Sequence, residues 1–316
     1  MDKLHELHAK SVTDNSAAEA PRPLEYVAWA VLVHTAPTLA TAAFTRHLAE
    51  TLSGLASVHV ILDLSSSWKG KRTVSPWSDQ VALYRQWLSI SPRLTVHAIT
   101  HCDIASVYNH IPARWVYDGR KVSWKSISWA VHEYPLLTLL HRDNGCRRVD
   151  GSNSRLASPQ LELSQVRQWY VSESDVFFRG NVRRWLENTQ FAHPDTDLLP
   201  GSHHARKDWS HRRDFVERWP FQLRTNQSNL SASTEHLRRF SRGLLASIHT
   251  LLSLGEVIWG EAMAPSVCQA VLSMRCANDT TPAGFPSFWP VAGRTWEDLP
   301  LMRWYHVADN PPVVFT

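Results

Sequence analysis

The chain has 316 residues, and 43% of them are apolar, so it is long enough to build one large domain or two modest ones around a sizeable core. Its formal charge is only +4, from 33 basic and 29 acidic residues, and this near balance does not indicate a nucleic-acid-binding surface. The N-terminal stretch lacks the apolar core of a signal peptide or membrane anchor, and the run YVAWAVLVH is too short to cross a bilayer.

Along the chain, a polar leader is followed by alternating strand and helix patterns. Residues 1–23 end in Pro-Arg-Pro and are predicted to be a disordered leader. Strands are then predicted over residues 26–34, 58–64 and 94–99, and helices over residues 39–52 and 79–88. This β-α-β-α-β order is typical of a parallel sheet covered by helices.

The following part of the chain shows a less regular pattern. Residues 101–127 are predicted to be loop-like, and a helix is expected over residues 128–140. A fourth strand is predicted over residues 168–171, and a strong helical pattern covers residues 235–254. The remainder, to the C-terminus, is predicted to be irregular.

The stretch WYVSESDVFFR places two acids, Glu173 and Asp175, directly after the fourth strand. Ligands of open α/β sheets bind beyond the carboxyl ends of the strands, and alternation along an extended backbone would turn both carboxylates to one side. Mg²⁺ and Mn²⁺ prefer such oxygen ligands, with phosphate oxygens filling other positions. The alternative is a turn in which the acids pair with Arg179, Arg183 or Arg184.

An acid-x-acid pair after an apolar strand, preceded by β-α-β-α-β, resembles the GT-A class of glycosyltransferases. The segments YVSESDVFFRGNVRRWL, DLL at residues 197–199 and SRGLLASIHTLLSLGEVIWGE are similar to eukaryotic members of that superfamily, and the resemblance covers about residues 24–310. Glu173 stands where the common pattern has its first Asp. The resemblance implies an α/β fold with a mostly parallel, Rossmann-like central sheet flanked by helices, and an irregular, helical C-terminal elaboration.

This resemblance also implies one domain over residues 24–316, with a nucleotide-binding half at 24–180 and an acceptor-side half at 181–316. A nucleotide-sugar would be the donor, and a glycan, protein or lipid hydroxyl would be the acceptor. Mn²⁺ or Mg²⁺ would be held by Glu173 and Asp175, and His306, in RWYHVADN, would complete the metal site.

The other expected site residues contact the donor or the acceptor. His34 and Thr35, after the first strand, and Asp63, after the second, would face the nucleoside, and Ser174 would lie with the acids. Glu261, after Trp259 and Gly260, would be the general base of an inverting enzyme.

Several of these residues have a structural alternative. Asp63 could instead cap the turn that follows it by accepting backbone N–H groups. Glu261 could be an acid that complements the N-terminus of a helix, and His306 could be a packing histidine. The basic run at residues 206–213 is interpreted as a solvated loop paired with Asp208 and Asp214.

Other functions remain open alternatives. A sugar nucleotidyltransferase shares the fold class, but the first strand is not followed by a Gly-rich loop. A non-catalytic carbohydrate-binding or scaffold protein could use some of the 15 Trp residues for recognition. A nucleic-acid-binding protein, using the basic run, is the weakest alternative.

The cysteines bear on the compartment. Cys102, Cys146, Cys268 and Cys276 are too few for a disulfide scaffold, but Cys268 and Cys276 could bridge if the chain is secretory. Sequons at Asn226, Asn229 and Asn278 would matter in that case. As written, the sequence indicates a cytosolic protein, and a secretory one if further sequence precedes it.

Overall fold

A computed structural model of the protein describes residues 27–65, 76–108, 115–117, 120–122, 133–142, 146, 149, 163–200, 203–204, 232–233, 236–254, 260–271, 273–277, 287–289, 301 and 303–307. The leader, the basic run at residues 206–213 and the three sequons lie outside these residues.

The described residues contain a central sheet of six strands in the order β3-β2-β1-β6-β11-β8. The first four strands in this order are parallel, and β11 runs antiparallel to both of its neighbours. The strands are β1 (Val27–Val33), β2 (Ser57–Asp63), β3 (Leu94–Ile99), β6 (Gln168–Glu173), β8 (Leu198–Leu199) and β11 (Leu237–Ser241). The predicted mostly parallel α/β sheet is therefore confirmed.

A smaller three-stranded sheet packs beside it, in the order β12-β13-β7, and the described residues also contain two antiparallel pairs of strands, β4-β5 and β9-β10. Strand β7 follows β6 after a two-residue turn, so the small sheet begins directly where a central strand ends. The remaining strands are β4 (Trp115–Tyr117), β5 (Arg120–Val122), β7 (Val176–Arg179), β9 (His203–His204), β10 (Ala232–Ser233), β12 (Ser287–Trp289) and β13 (Arg303–Val307).

Helices cover both faces of the central sheet. The helices are α1 (Leu39–Thr51), α2 (Trp77–Leu88), α3 (His101–Val107), α4 (Tyr134–His141), α5 (Val182–Ala192), α6 (Arg242–Ser253) and α7 (Gly260–Ala270). Helices α3, α4, α6 and α7 contribute to the apolar core on one face, and α1, α2 and α5 to the core on the other.

Strand β1 shows why the sequence predicted a buried parallel strand. All seven of its residues are buried. Ala28, Ala30 and Leu32 belong to one core, and the intervening residues, Trp29 among them, belong to the other. A strand with helices on both faces must be apolar at every position, which a continuous apolar run satisfies and an alternating one does not.

Aromatic rings fill the core between the central sheet and the small one. The ring of Trp29 stacks on Tyr170 and Trp304, with centroids 5.0 and 5.1 Å away. Trp185 contacts Trp304 edge-on at 5.3 Å. These four residues are at most 1% exposed, so this part of the Trp content serves the core.

Three segments differ from the prediction. The part after residue 254, predicted to be irregular, contains helix α7 and strands β12 and β13. Residues 101–127 include helix α3, whose first turn is closed by a capping box of Thr100 and Asp103, and the β4-β5 pair. In the segment predicted as one helix over residues 235–254, the first part is strand β11. Residues 237–241 pair with β6, and the Ser241 side chain then caps α6 by accepting from the Leu244 N–H.

All four cysteines are paired. The Cys268–Cys276 disulfide joins α7 to the segment beside β8, a pairing that the sequence left open for a secretory chain. The Cys102–Cys146 disulfide, which was not predicted, joins α3 to a residue 44 positions away. Within the described residues, no helix has the length and apolar character required to cross a membrane.

Candidate functional site

The candidate site lies at the carboxyl edge of the parallel strands. The order β2-β1-β6 places the ends of three strands side by side, and the register pairs Leu32 with Glu173 and Val33 with Leu62. His34, Asp63 and Glu173 therefore end or follow three neighbouring strands. Such an edge is where open α/β sheets bind ligands.

Asp63 is buried and is held within the protein. Its Oδ1 accepts hydrogen bonds from the backbone N–H of Ser65 at 2.9 Å and from the Ser65 hydroxyl at 2.5 Å. Its Oδ2 accepts a bond from the Tyr134 hydroxyl. Burial and the neighbouring Asp63 carboxylate raise the pKa of Tyr134 well above its usual value, so this hydroxyl stays protonated and donates. The turn-capping alternative describes these contacts, and a nucleoside contact by Asp63 stays a prediction.

His34 and Thr35 continue the chain beyond β1. His34 is half-buried, and the Thr35 side chain is exposed. The Thr35 carbonyl accepts a bond from the indole N–H of Trp87 at 2.9 Å, which ties this turn to helix α2. This hydrogen bond holds the turn against helix α2, while the Thr35 side chain is exposed at the carboxyl edge of the sheet. Its predicted contact with a nucleoside is not tested.

Glu173 is the last residue of β6, and Ser174 and Asp175 form the turn before β7. The alternation from which a common side was predicted therefore ends at Glu173, because the backbone turns. Glu173 binds His236: its Oε2 lies 2.5 Å from the imidazole Nδ1. The alternative partner Arg183 instead binds Glu187, one helical turn further along α5. Ser174 and Asp175 are both partly buried.

His306 and Glu261 are placed by their backbones, since their side chains lie outside the described part of the structure. Strand β13 runs antiparallel to β7, and its register pairs His306 with Val176, the residue directly after Asp175. The strand order thus brings the C-terminal histidine to the acid-bearing turn. Glu261 is the second residue of α7, which is the position named by its helix-terminus alternative.

The fit of these residues to a divalent cation can be judged from the donor set. Within the described residues, no three His, Cys, Asp or Glu side chains are grouped so that they could hold an ion. Glu173 and Asp175 supply two carboxylates, two positions apart, at the end of β6 and in the turn that follows it. Mg²⁺ is commonly bound by one or two carboxylates together with phosphate oxygens of the substrate. The described donors fit that open kind of site and do not form a closed protein centre.

Sequence reasoning missed three residues of this edge: His236, Arg238 and Glu133. Arg238 and Glu133 form a fully buried ion pair, with Nη1 and Oε1 2.8 Å apart. The helical interpretation of residues 235–254 concealed strand β11, which carries Arg238 and which His236 directly precedes. Nothing in the local sequence indicates a partner 105 positions away.

The other motif acid, Asp197, lies away from this edge. Its Oδ1 accepts from the Ser241 hydroxyl at 2.5 Å, and its Oδ2 accepts from the backbone N–H of Arg275 at 2.8 Å. Ser241 ends β11 opposite Gln168, the first residue of β6. Asp197 therefore joins segments at the amino edge of the sheet.

The solved structures found to be similar to this chain are glycosyltransferases. One is the galactosyltransferase LgtC in complex with donor and acceptor sugar analogues, at 10% identity over 79% of this chain and 72% of that one, with a TM-score of 0.34. An active-site mutant of LgtC matches at 10% identity over 90% and 87%, with a TM-score of 0.37. Mouse xyloside xylosyltransferase 1 in its apo form matches at 11% identity over 91% and 98%, with a TM-score of 0.40. No protein-family model and no curated protein sequence matches the chain.

Proposed function

We propose that this protein is a glycosyltransferase that takes a sugar from a nucleotide-diphosphate donor and transfers it to a hydroxyl acceptor. The observation that carries the proposal is the position of Glu173, Ser174 and Asp175. Glu173 ends the strand next to β1, at the carboxyl edge of the parallel strands, and Ser174 and Asp175 form the turn that leads into β7, which pairs with the strand of His306. Two carboxylates at this edge match the needs of a diphosphate bound through a cation.

In this mechanism, each residue has a distinct task. Glu173 and Asp175, with His306, would hold Mn²⁺ or Mg²⁺, which supplies Lewis-acid stabilisation of the diphosphate leaving group when bound. Ser174, which lies between the two acids, would donate a hydrogen bond from its hydroxyl to the nucleotide-sugar. His34 and Thr35 would contact the nucleoside from the neighbouring strand end.

Asp63 takes a supporting part in this proposal. Its two oxygens bind Ser65 and Tyr134, so it fixes the turn that follows β2 and fastens the start of α4 to that turn. Contact with a ribose or base would then be made without large movement of the carboxylate.

Glu261 is proposed as the general base. An inverting transfer needs a carboxylate near the acceptor hydroxyl, opposite the departing diphosphate, to receive the hydroxyl proton as the new glycosidic bond forms. Helix α7 packs against α6 and against β8, at the end of the central sheet order. This location suits the acceptor side, because the expected donor residues lie around β1, β2 and β6.

The decisive experiment compares Asp175→Asn with Asp195→Asn. Asp195 is a matched control because it forms a highly exposed ion pair with Arg275 outside the site. We expect the wild-type protein and Asp195→Asn to bind or slowly hydrolyse a nucleotide-sugar from a panel in the presence of Mn²⁺. Asp175→Asn should neither bind nor hydrolyse the nucleotide-sugar, although its circular dichroism spectrum should be unchanged. Equal binding by the two variants would contradict the site assignment.

A second candidate function is a non-catalytic carbohydrate-binding protein with the same fold. The contact between Glu173 and His236 favours it, because the acid at the first motif position is already satisfied within the protein. Binding of an oligosaccharide without any hydrolysis of nucleotide-sugars across the panel would support this candidate over the enzyme.

The two disulfides support a compartment proposal. Disulfides persist in oxidising environments and are rare in the cytosol, where thiols are kept reduced. All four cysteines are paired here. We therefore propose that the protein folds in the secretory route. Mass spectrometry of the protein from its native cells, alkylated without reduction, should show both cystine peptides.

A further inference from the structure

Two hydrogen bonds join His236 to Glu173. The imidazole Nδ1 lies 2.5 Å from Oε2 of the carboxylate, and the Glu173 backbone N–H donates to the His236 carbonyl at 3.0 Å. The two residues face each other directly beyond the last register pair of β6 and β11, Ser172 with Leu237. The Glu173 side chain is 25% exposed and the His236 side chain is 20% exposed. His236 is therefore placed to orient this carboxylate.

The buried guanidinium of Arg238 binds groups on both sides of the chain segment around His236. Arg238 is completely buried, and its Nη2 donates to the Ser233 carbonyl, five residues earlier, at 2.5 Å. Its Nη1 binds Oε1 of the equally buried Glu133, the residue that precedes α4. A charge removed from water requires such partners, so the guanidinium has few alternative positions. The arginine thus joins Ser233 and the start of β11, directly after His236, to the residue that precedes α4.

We propose that His236 is a positioning residue for Glu173, and that the Arg238–Glu133 pair holds it in place. The inference rests on the proposed function, in which Glu173 is a metal ligand. Glu has one more rotatable bond than the Asp of the common motif, so more rotamer entropy is lost when its carboxylate is fixed. A hydrogen-bond donor that selects one orientation beforehand offsets that loss, as outer partners of metal ligands commonly do.

The test measures Mn²⁺ affinity of the full-length protein by calorimetry, so it does not depend on turnover. His236→Asn keeps a side-chain N–H near the position of Nδ1, whereas His236→Gln places its amide further out and His236→Leu removes the donor. We expect the Leu and Gln variants to bind Mn²⁺ roughly 10–100-fold more weakly than wild type, and the Asn variant to recover most of the affinity. The control is His47→Leu, which changes a half-buried histidine of α1 on the other face of the sheet.

The outcomes separate this inference from the proposed function. If wild type binds Mn²⁺ and all three His236 variants bind it equally well, the positioning role is wrong while the metal site stands. If wild type binds no Mn²⁺, with or without a nucleoside diphosphate, the proposed metal site is wrong and the inference fails with it. If His236→Leu does not fold, the comparison of His236→Asn with His236→Gln still tests the proposal. Equal Mn²⁺ affinity of these two variants would overturn it.

Discussion

The buried histidine His59 provides a quantitative test of the described core. Its ring is only 6% exposed, in the middle of the sheet face that carries Trp169. Its Nδ1 lies 3.0 Å from Nε2 of His97, and its Nε2 lies 2.8 Å from the hydroxyl of Ser57. Burial lowers the pKa of His59 from 6.5 to about 4, because an imidazolium would lose its hydration there.

The sign of the pH effect follows from this shift. The unfolded chain binds a proton at His59 below pH 6.5, whereas the folded chain does so only near pH 4. The unfolded state therefore gains protons first, and stability is lost as the pH falls through this window. With these two pKa values, linkage gives a loss of about 2 kcal/mol between pH 7 and pH 5 from His59 alone.

The assay is urea unfolding of wild type and His59→Asn at pH 7 and pH 5. His59→Asn should be less stable than wild type at pH 7, because buried polar contacts are disturbed. Between pH 7 and pH 5, however, its free energy of unfolding should fall by about 2 kcal/mol less than that of wild type. His249, whose pKa burial also lowers to about 4, contributes with the same sign in both proteins and cancels in this comparison. The exposed His101→Asn is the control. An equal loss in wild type and His59→Asn would refute the reasoning.

Three further predictions are tested by chemical unfolding of variant proteins. Arg238→Met should lower the free energy of unfolding by about 3–5 kcal/mol, since it leaves the Glu133 carboxylate buried without its ion-pair partner. Adding Glu133→Leu should recover part of this stability. A larger loss in the double variant than in Arg238→Met would contradict the argument. Replacing both Cys102 and Cys146 by Ser should cost about 4 kcal/mol for a loop of this length, and unchanged stability would show that the bridge does not form. Tyr134→Phe should cost about 1–3 kcal/mol because it removes the hydroxyl donor to a buried carboxylate, and a neutral effect would contradict that contact.

Local sequence patterns were sufficient where burial alone decides the structure. Strand β1 is apolar at every position because helices cover both of its faces, and β2 is buried at all but its first residue. Helix α1 follows the predicted bounds to within a residue, with Thr38 as its N-cap. These features depend on neighbours in the chain, so a single sequence carries them.

The segment at residues 235–254 shows where local pattern fails. Its helical spacing is real in α6, but residues 237–241 form hydrogen bonds with β6, about 70 positions earlier in the chain. Strand pairing is a non-local contact, and it overrides a local helical preference whenever the sheet offers an edge. The two buried arginines of this strand also have distant partners: Arg238 binds Glu133, and Arg239 donates to the carbonyls of His193 and Thr196.

The sequence by itself determined the alternation of β1, α1, β2, α2 and β3 and the presence of two acids where a central strand ends. Only the tertiary structure decided what those acids meet. The pairing of β11 with β6 places His236 on Glu173, and the pairing of β13 with β7 brings His306 beside the turn of Asp175. Both outcomes depend on contacts between segments more than 60 residues apart, where chain folding, and not residue type, selects the partner.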